Sequence, residues 1–266
     1  MSERVPEEVL WDFLRGAMMT KALAIGADLG IAEALAGGSR AVEELAREAG
    51  VDGDVLYRLL RALASDGVFA EEEPGVFRLT EPAKLLLRPG WKAFAHLFGG
   101  VFYRSVADLD QAARTGSETF PEAFGEEFWP WLGGRAEERA AFDRAMAARK
   151  AGRLSNVELR AGETVVDVGG GNGTLLFEVL GDRPDVRASA ILRTIRSAAR
   201  PGARLLVAEN VIQPGNDRSG AKWLDLLMLV LASGRERTEA EWRVLLEGAG
   251  FEPVAIEDGL VEARCR

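Results

Sequence analysis

Hydrophobic positions change period along this chain, and the change divides it into two halves. Up to about residue 160 they recur with helical spacing. Leu29, Ile31, Ala32, Ala34 and Leu35 predict a short helix closed by Gly37-Gly38. Val42, Leu45 and Ala46 predict a second, ending at Gly50. Val55, Leu56, Leu59, Leu60 and Leu63 fall on one stripe and predict a third. The period then drops. Val68-Phe69-Ala70 and Val76-Phe77-Arg78-Leu79 flank Glu71-Glu72-Glu73-Pro74-Gly75, which predicts a hairpin with Pro-Gly at its turn. Three helices and a hairpin are the arrangement of a winged helix. The aromatic stretch with Phe120, Phe124, Phe128, Trp129 and Trp131 predicts helix-packing core, with a minority available to line a pocket for a flat ligand. Residues 135–159 predict a long helix connecting the halves, with Phe142 and Met146 as its apolar stripe.

From Gly162 the pattern is α/β. Glu163–Val168 is β-rich and apolar, as in a buried parallel strand; Gly169-Gly170-Gly171-Asn172-Gly173 follows, and Thr174–Leu180 opens a helix. Residues 203–212, 251–256 and 260–264 predict further strands, and 188–199, 222–232 and 238–249 the helices between them. The longest apolar stretch, Leu224–Ala232, is interrupted by Asp225 and is too short to span a bilayer.

Composition narrows the function. Of 266 residues 47% are hydrophobic and 28% charged, which predicts a folded chain rather than a disordered one. Lys and Arg number 33 against 42 Asp and Glu, a net charge of −9. That balance disfavours nucleic acid, and three consecutive glutamates at the wing tip oppose a phosphate backbone. The third helix offers Arg58 and Arg61 beside Asp54 and Asp66. The winged helix therefore reads as a dimerisation module, and a transcriptional regulator is disfavoured. The lone Cys265 excludes an internal disulfide and Cys-based zinc sites. With a single His and no HExxH helix, no metal centre is expected. Residues 1–10 have no long apolar run, so no signal peptide is expected, and the expected location is cytoplasmic without membrane attachment.

The most specific motif is Asp167-Val168-Gly169-Gly170-Gly171-Asn172-Gly173, between the predicted strand and helix. Glycines turn the backbone sharply and admit a ligand where a Cβ would block it. The helix behind offers N–H groups, and Asp167 can face a cation. The D-x-G-x-G-x-G spacing resembles the first motif of S-adenosylmethionine (SAM)-dependent methyltransferases. The likeness continues in Leu56-Tyr57-Arg58-Leu59-Leu60-Arg61-Ala62-Leu63 with Gly67-Val68-Phe69, in Pro201–Glu209, and in Gly234–Trp242 with Gly248-Ala249-Gly250-Phe251. From about residue 15 onward the chain is similar to the small-molecule O-methyltransferases of the caffeic acid and hydroxyneurosporene type.

The resemblance implies a mostly helical winged-helix dimerisation domain followed by a truncated Rossmann-like class I methyltransferase domain. The boundaries implied are 1–90 for dimerisation, 91–160 for linker and pocket helices, and 161–266 for SAM binding. It implies SAM held by Asp167, Gly169, Gly170, Gly171 and Gly173, a homodimer, and methyl transfer to a hydroxyl of a small aromatic or polyketide-like molecule. In that family a His takes the hydroxyl proton, two glutamates hold it, and the oxyanion attacks the sulfonium methyl. The glutamates match Glu209 and Glu236, and Met146 and Met228 match the substrate pocket. The chain departs from the family between Leu180 and Ala203. Roughly 60–70 residues, two to three βα units, are expected there and missing, with the seam near 185–188. The missing part should carry the ribose acid and the His base. His96 lies in the helical region, in no acid–base motif, and Asp185 has no strand leading into it. The expectation is an O-methyltransferase whose own turnover is weak or absent. The alternative is a non-catalytic dimeric binding or scaffold protein.

Overall fold

The computed structural model describes residues 5–150, 180, 183–257 and 259–266, with the side chains of 149 and 150 outside the description. In chain order the elements begin α1 (Pro6–Asp28), α2 (Ile31–Ala34), β1 (Arg40–Ala41), α3 (Val42–Ala49), α4 (Gly53–Ser65), β2 (Phe69–Glu73), β3 (Val76–Leu79), α5 (Glu81–Leu85) and α6 (Pro89–Gly99). They continue with α7 (Val101–Ser105), α8 (Leu109–Thr115), α9 (Phe120–Phe124), α10 (Phe128–Gly133), α11 (Ala136–Lys150) and α12 (Asp185–Ala198). The last are β4 (Arg204–Val207), β5 (Val211–Ile212), α13 (Gly220–Ala232), β6 (Arg237–Thr238), α14 (Glu239–Gly248), β7 (Phe251–Glu257) and β8 (Leu260–Cys265). They form two compact units, Met1–Arg104 with Arg135–Arg149, and Ser105–Gly134 with Lys150–Arg266.

The first unit contains the winged helix. Gly50 takes φ 68° and closes α3, a left-handed conformation that costs a residue with a Cβ more than glycine. The Asp52 carboxylate caps α4 by accepting the Val55 N–H at 2.9 Å. The α4 stripe is narrower than its sequence suggests: Leu56, Leu60 and Leu63 are buried, whereas Val55 faces solvent. β2 and β3 pair antiparallel, and β1, which the periodicity did not show, adds a third strand through Arg40↔Phe77 and Ala41↔Val76. The wing acids act inside the wing. Glu71 accepts the Gly75 N–H at 2.8 Å, and Glu72 pairs with Arg78 at 2.6 Å. α1 and α6 approach so closely that a Cβ on Gly99 would lie 2.1 Å from that of Ala24. The helix expected to connect the halves begins as α11, which packs in this unit with Ala141 and Ala145 buried. Its expected continuation to residue 159 lies outside the described residues.

In the second unit β8 lies between β4 and β7, antiparallel to both. Val261, Ala263 and Cys265 alternate inward along β8 and meet Leu192 of α12 and Trp242 and Leu246 of α14 in one core. Two expectations change. α12 starts at Asp185, three residues before the expected Ala188, because Pro184 takes an extended backbone and caps it. The strand expected over 203–212 is two strands. β4 pairs antiparallel with β8, then β5 pairs parallel with β6, and this change of partner turns Ala208-Glu209-Asn210 into the interior. The expected strand Glu163–Val168 and the glycine loop lie outside the described residues.

Candidate functional site

The site grows from the ends of β4 and β6. Sequence placed Glu209 near the end of the expected 203–212 strand and Glu236 between the expected helices 222–232 and 238–249, with nothing to show either acid buried. Both are buried, at 1% and 4% exposure. A buried carboxylate is costly unless hydrogen-bonded, so its partners define the site. Glu209 follows β4, and its Oε1 accepts the Leu180 N–H at 3.3 Å. Asn210, also buried, donates from Nδ2 to Oε1 of Glu236 at 2.8 Å. The Glu236 backbone N–H donates to Oδ1 of Asp225, on α13, at 2.7 Å. Burial pushes the Asp225 carboxyl above its usual range, against the Glu236 N–H and the positive charges of Arg235 and Arg237.

Local sequence fixes the Glu236 loop. Ser233 ends α13 at φ 50°, the left-handed region, so the chain leaves the helix sharply toward Gly234. Thr238 and Glu241 then form a capping box at the start of α14. Burial acts to raise the Glu241 pKa, but the Thr238 N–H and hydroxyl, with Arg235, outweigh it and hold the carboxyl low. Arg237 is fully buried and stacks over the Trp242 ring at 5.3 Å. Its guanidinium donates to the Asp185 carboxylate at 2.9 and 3.0 Å, and to the carbonyls of Leu180 and Arg183 at 2.7 and 3.1 Å. Arg235 also reaches Asp185, at 3.4 Å. Asp185 thus engages both residues that flank Glu236.

The remaining expected residues fall in one unit or the other, or outside the described residues. Met228 is buried on α13 in the second unit, three residues after Asp225, and Met146 is buried on α11 in the first. Asp167, Gly169, Gly170, Gly171 and Gly173 lie outside the described residues. His96 is on α6 in the first unit, its Nδ1 3.0 Å from Asp28 and its Nε2 3.5 Å from Glu138. The aromatic stretch packs as the sequence suggests: Phe120 stacks on Phe124 at 4.2 Å and meets Phe128 and Trp131 edge-on. Sequence reasoning missed Asn210 and Arg237. The T-x-x-E spacing at Thr238–Glu241, just after Glu236, was the readable signal that the loop is held. Among the described residues, no cluster of His, Cys, Asp and Glu could hold a metal, and no helix is long and apolar enough to cross a membrane.

Comparison with known proteins adds to this geometry. The family model of the O-methyltransferase dimerisation domain matches residues 11–89, and that of the O-methyltransferase domain matches 174–252. The 3-amino-4-hydroxybenzoate 4-O-methyltransferase of Streptomyces cremeus is 30% identical, over 91% of this chain and 84% of its own. That alignment runs over 309 positions, whereas 91% of 266 residues is about 242, so about 67 positions have no residue of this chain. The crystal structure of LaPhzM superposes with a TM-score of 0.88 at 29% identity, covering 98% of this chain and 100% of that one. NcsB1, an O-methyltransferase from neocarzinostatin biosynthesis solved with S-adenosyl-L-homocysteine (SAH) and 1,4-dihydroxy-2-naphthoic acid, superposes at 0.77 and 27% identity, over 93% and 96% of the two chains. The chain is a helical dimerisation domain joined to a class I methyltransferase domain, and it belongs to the small-molecule O-methyltransferase family.

Proposed function

We propose that this protein is a SAM-dependent O-methyltransferase by descent, built to act as a homodimer on a hydroxyl of a small aromatic or polyketide-like molecule, and that its own turnover is weak or absent. The observation that carries the reading is the buried acid network, Glu236 held by Asn210 and Asp225 beside a buried Glu209. Carboxylates kept from water at such cost suit the stabilisation of a cation beside a substrate. Bound SAM would supply an electrophilic sulfonium methyl. By their sequence motif, Asp167 and the glycines after it would be the residues to hold that cation, an acid followed by residues without a Cβ. The weak turnover follows from the proton. The chain has one His, and its ring is engaged by Asp28 and Glu138 in the first unit. No imidazole is left for Glu209 and Glu236 to hold.

The homodimer is supported by the dimerisation-domain match and by the first half of α1. There Leu10, Trp11, Phe13, Leu14 and Met18 are each more than 60% exposed. An apolar row of that size on one helix is stable in water only when covered. The alternative of a non-catalytic dimeric binding or scaffold protein is favoured by the same His96 contacts and by the roughly 67 aligned positions that have no residue of this chain. Two measurements separate these readings: calorimetric titration with SAH, and incubation with labelled SAM and a panel of phenols that includes 1,4-dihydroxy-2-naphthoic acid. The expected result is SAH binding with little or no methyl transfer. Ordinary turnover overturns the weak-turnover reading, and absent SAH affinity overturns the methyltransferase reading in favour of the scaffold.

A further inference from the structure

We propose that Asp225, the charge that interrupts the longest apolar stretch, is a positioning residue that holds Glu236 in the site. This rests on the reading of Glu236 as a site acid. α13 is otherwise apolar here, with Leu227, Met228, Val230 and Leu231 buried. An aspartate in such a helix is unfavourable by propensity and by desolvation, so it needs a compensating contact. The contact is the 2.7 Å hydrogen bond from the backbone N–H of Glu236, eleven residues on. Its geometry is directional. Asp225 grips the backbone of Glu236, Asn210 grips the side chain, and the two bonds together fix both ends of the residue. The charged groups acting on Asp225 are Arg235 and Arg237 beside Glu236, and Glu241 on α14. Arg237 is already engaged by Asp185 and backbone carbonyls, and Arg235 by Asp185 and Glu241. The Asp225 carboxyl, half-buried on α13, meets the Glu236 N–H, and that bond favours its ionised form against the desolvation that raises its pKa.

The experiment titrates SAH-saturated protein with 1,4-dihydroxy-2-naphthoic acid by calorimetry. It uses the unsubstituted chain, Asp225→Ala, Asp225→Asn, Glu236→Gln and the Asp225→Ala/Glu236→Gln double variant. An amide proton spectrum of Glu236 is recorded for each. Asp225→Ala is expected to weaken the phenol about tenfold, the equivalent of one such hydrogen bond. Asp225→Asn keeps an acceptor oxygen and should stay within about threefold. The double variant should be no weaker than Glu236→Gln alone, because Asp225 acts through Glu236. The Glu236 amide proton, shifted downfield by the carboxylate, should move upfield in Asp225→Ala. Equal loss in the Ala and Asn variants, additive loss in the double variant, or an unmoved amide overturns the proposal. Absent SAH binding by the unsubstituted chain overturns the functional reading instead. The amide shift then decides Asp225 alone: movement supports the contact and its absence refutes it. SAH affinity retained in the variants separates lost positioning from lost folding.

Discussion

Replacing Arg237 tests whether the second unit is tied together at this one guanidinium. The side chain is fully buried and donates to the Asp185 carboxylate and to the carbonyls of Leu180, Arg183 and Arg235. Arg237→Met keeps much of the volume and the contact with Trp242 but removes every donor. Three carbonyls then lose a partner, and breaking a buried charge pair from one side costs about 3–5 kcal/mol. The Asp185 side chain is 55% exposed and can return to water, so the lower end applies, about 3 kcal/mol. Arg237→Lys keeps the charge but cannot reach the carboxylate and the carbonyls in one fork, and should cost about 1–2 kcal/mol. Asp185→Asn leaves the carbonyl contacts in place and should cost about 1 kcal/mol or less. Urea unfolding at pH 7, followed by tryptophan fluorescence and far-UV circular dichroism, reads the series. An Arg237→Met variant within about 1 kcal/mol of the parent, or the reverse order of Lys and Asn variants, would refute the reasoning.

Burial and the nearby Glu127 raise the pKa of Glu118, so its ionisation disfavours the folded state. Stability from this group is complete below the ordinary carboxylate pKa and is lost as pH rises through the raised value. Glu118→Gln should therefore raise the melting temperature at pH 7 by about 2 °C and change it little near pH 4; a larger gain at pH 4 contradicts the sign. Trp11→Glu with Leu14→Glu, on the exposed row of α1, should convert dimer to monomer in sedimentation velocity, and an unchanged dimer rejects α1 as the contact. His96→Gln should leave SAH affinity and methyl transfer unchanged, since its ring is engaged by Asp28 and Glu138; a loss of transfer would make His96 the base. Inserting the corresponding segment of the Streptomyces cremeus relative between Leu180 and Ala203 should raise phenol methylation, and a folded, SAH-binding graft without that gain counts against a missing base.

The helices of the winged unit were legible because each carries its own period and stop signal. Val42-x-x-Leu45-Ala46 ending at Gly50 became α3 with its left-handed cap, and Pro74-Gly75 became the turn between β2 and β3. α1 was not legible as an element. In its first half Leu10, Trp11, Leu14 and Met18 are exposed, so periodicity showed no core-facing stripe. The break between β4 and β5 was hidden for a different reason. Residues 203–212 read as one strand with Glu209-Asn210 inside it, and the change of pairing partner, from β8 to β6, divides it at those two residues. Local sequence cannot show which strand lies alongside. The family of the site was legible from the glycine loop and the matching motifs. The burial of Glu209 and Glu236 was not, because it depends on Asn210, Asp225 and Leu180, which approach from separate parts of the chain.

The persistence of this acid network argues about what a shortened methyltransferase can keep. Glu236 is oriented by contacts of two kinds. The capping box of Thr238 and Glu241 and the turn at Ser233 are local, and form wherever α13 and α14 form. The bonds to Asn210 and Asp225 come from elements that follow the seam in sequence. Contacts from the seam region itself, Leu180 and Asp185, reach the loop through Arg237 and Glu209 rather than through the Glu236 carboxylate. Loss of a segment before Ala203 therefore leaves the direct supports of Glu236 in place. A base carried by such a segment would disappear, while the carboxylates that would have held it stay buried at a cost in desolvation. The desolvation of these acids gives the chain a measurable signature. Glu209→Gln, a nearly isosteric change that removes the charge, should raise the melting temperature at pH 7. A lowered melting temperature would show that the contacts of the charged form outweigh its burial.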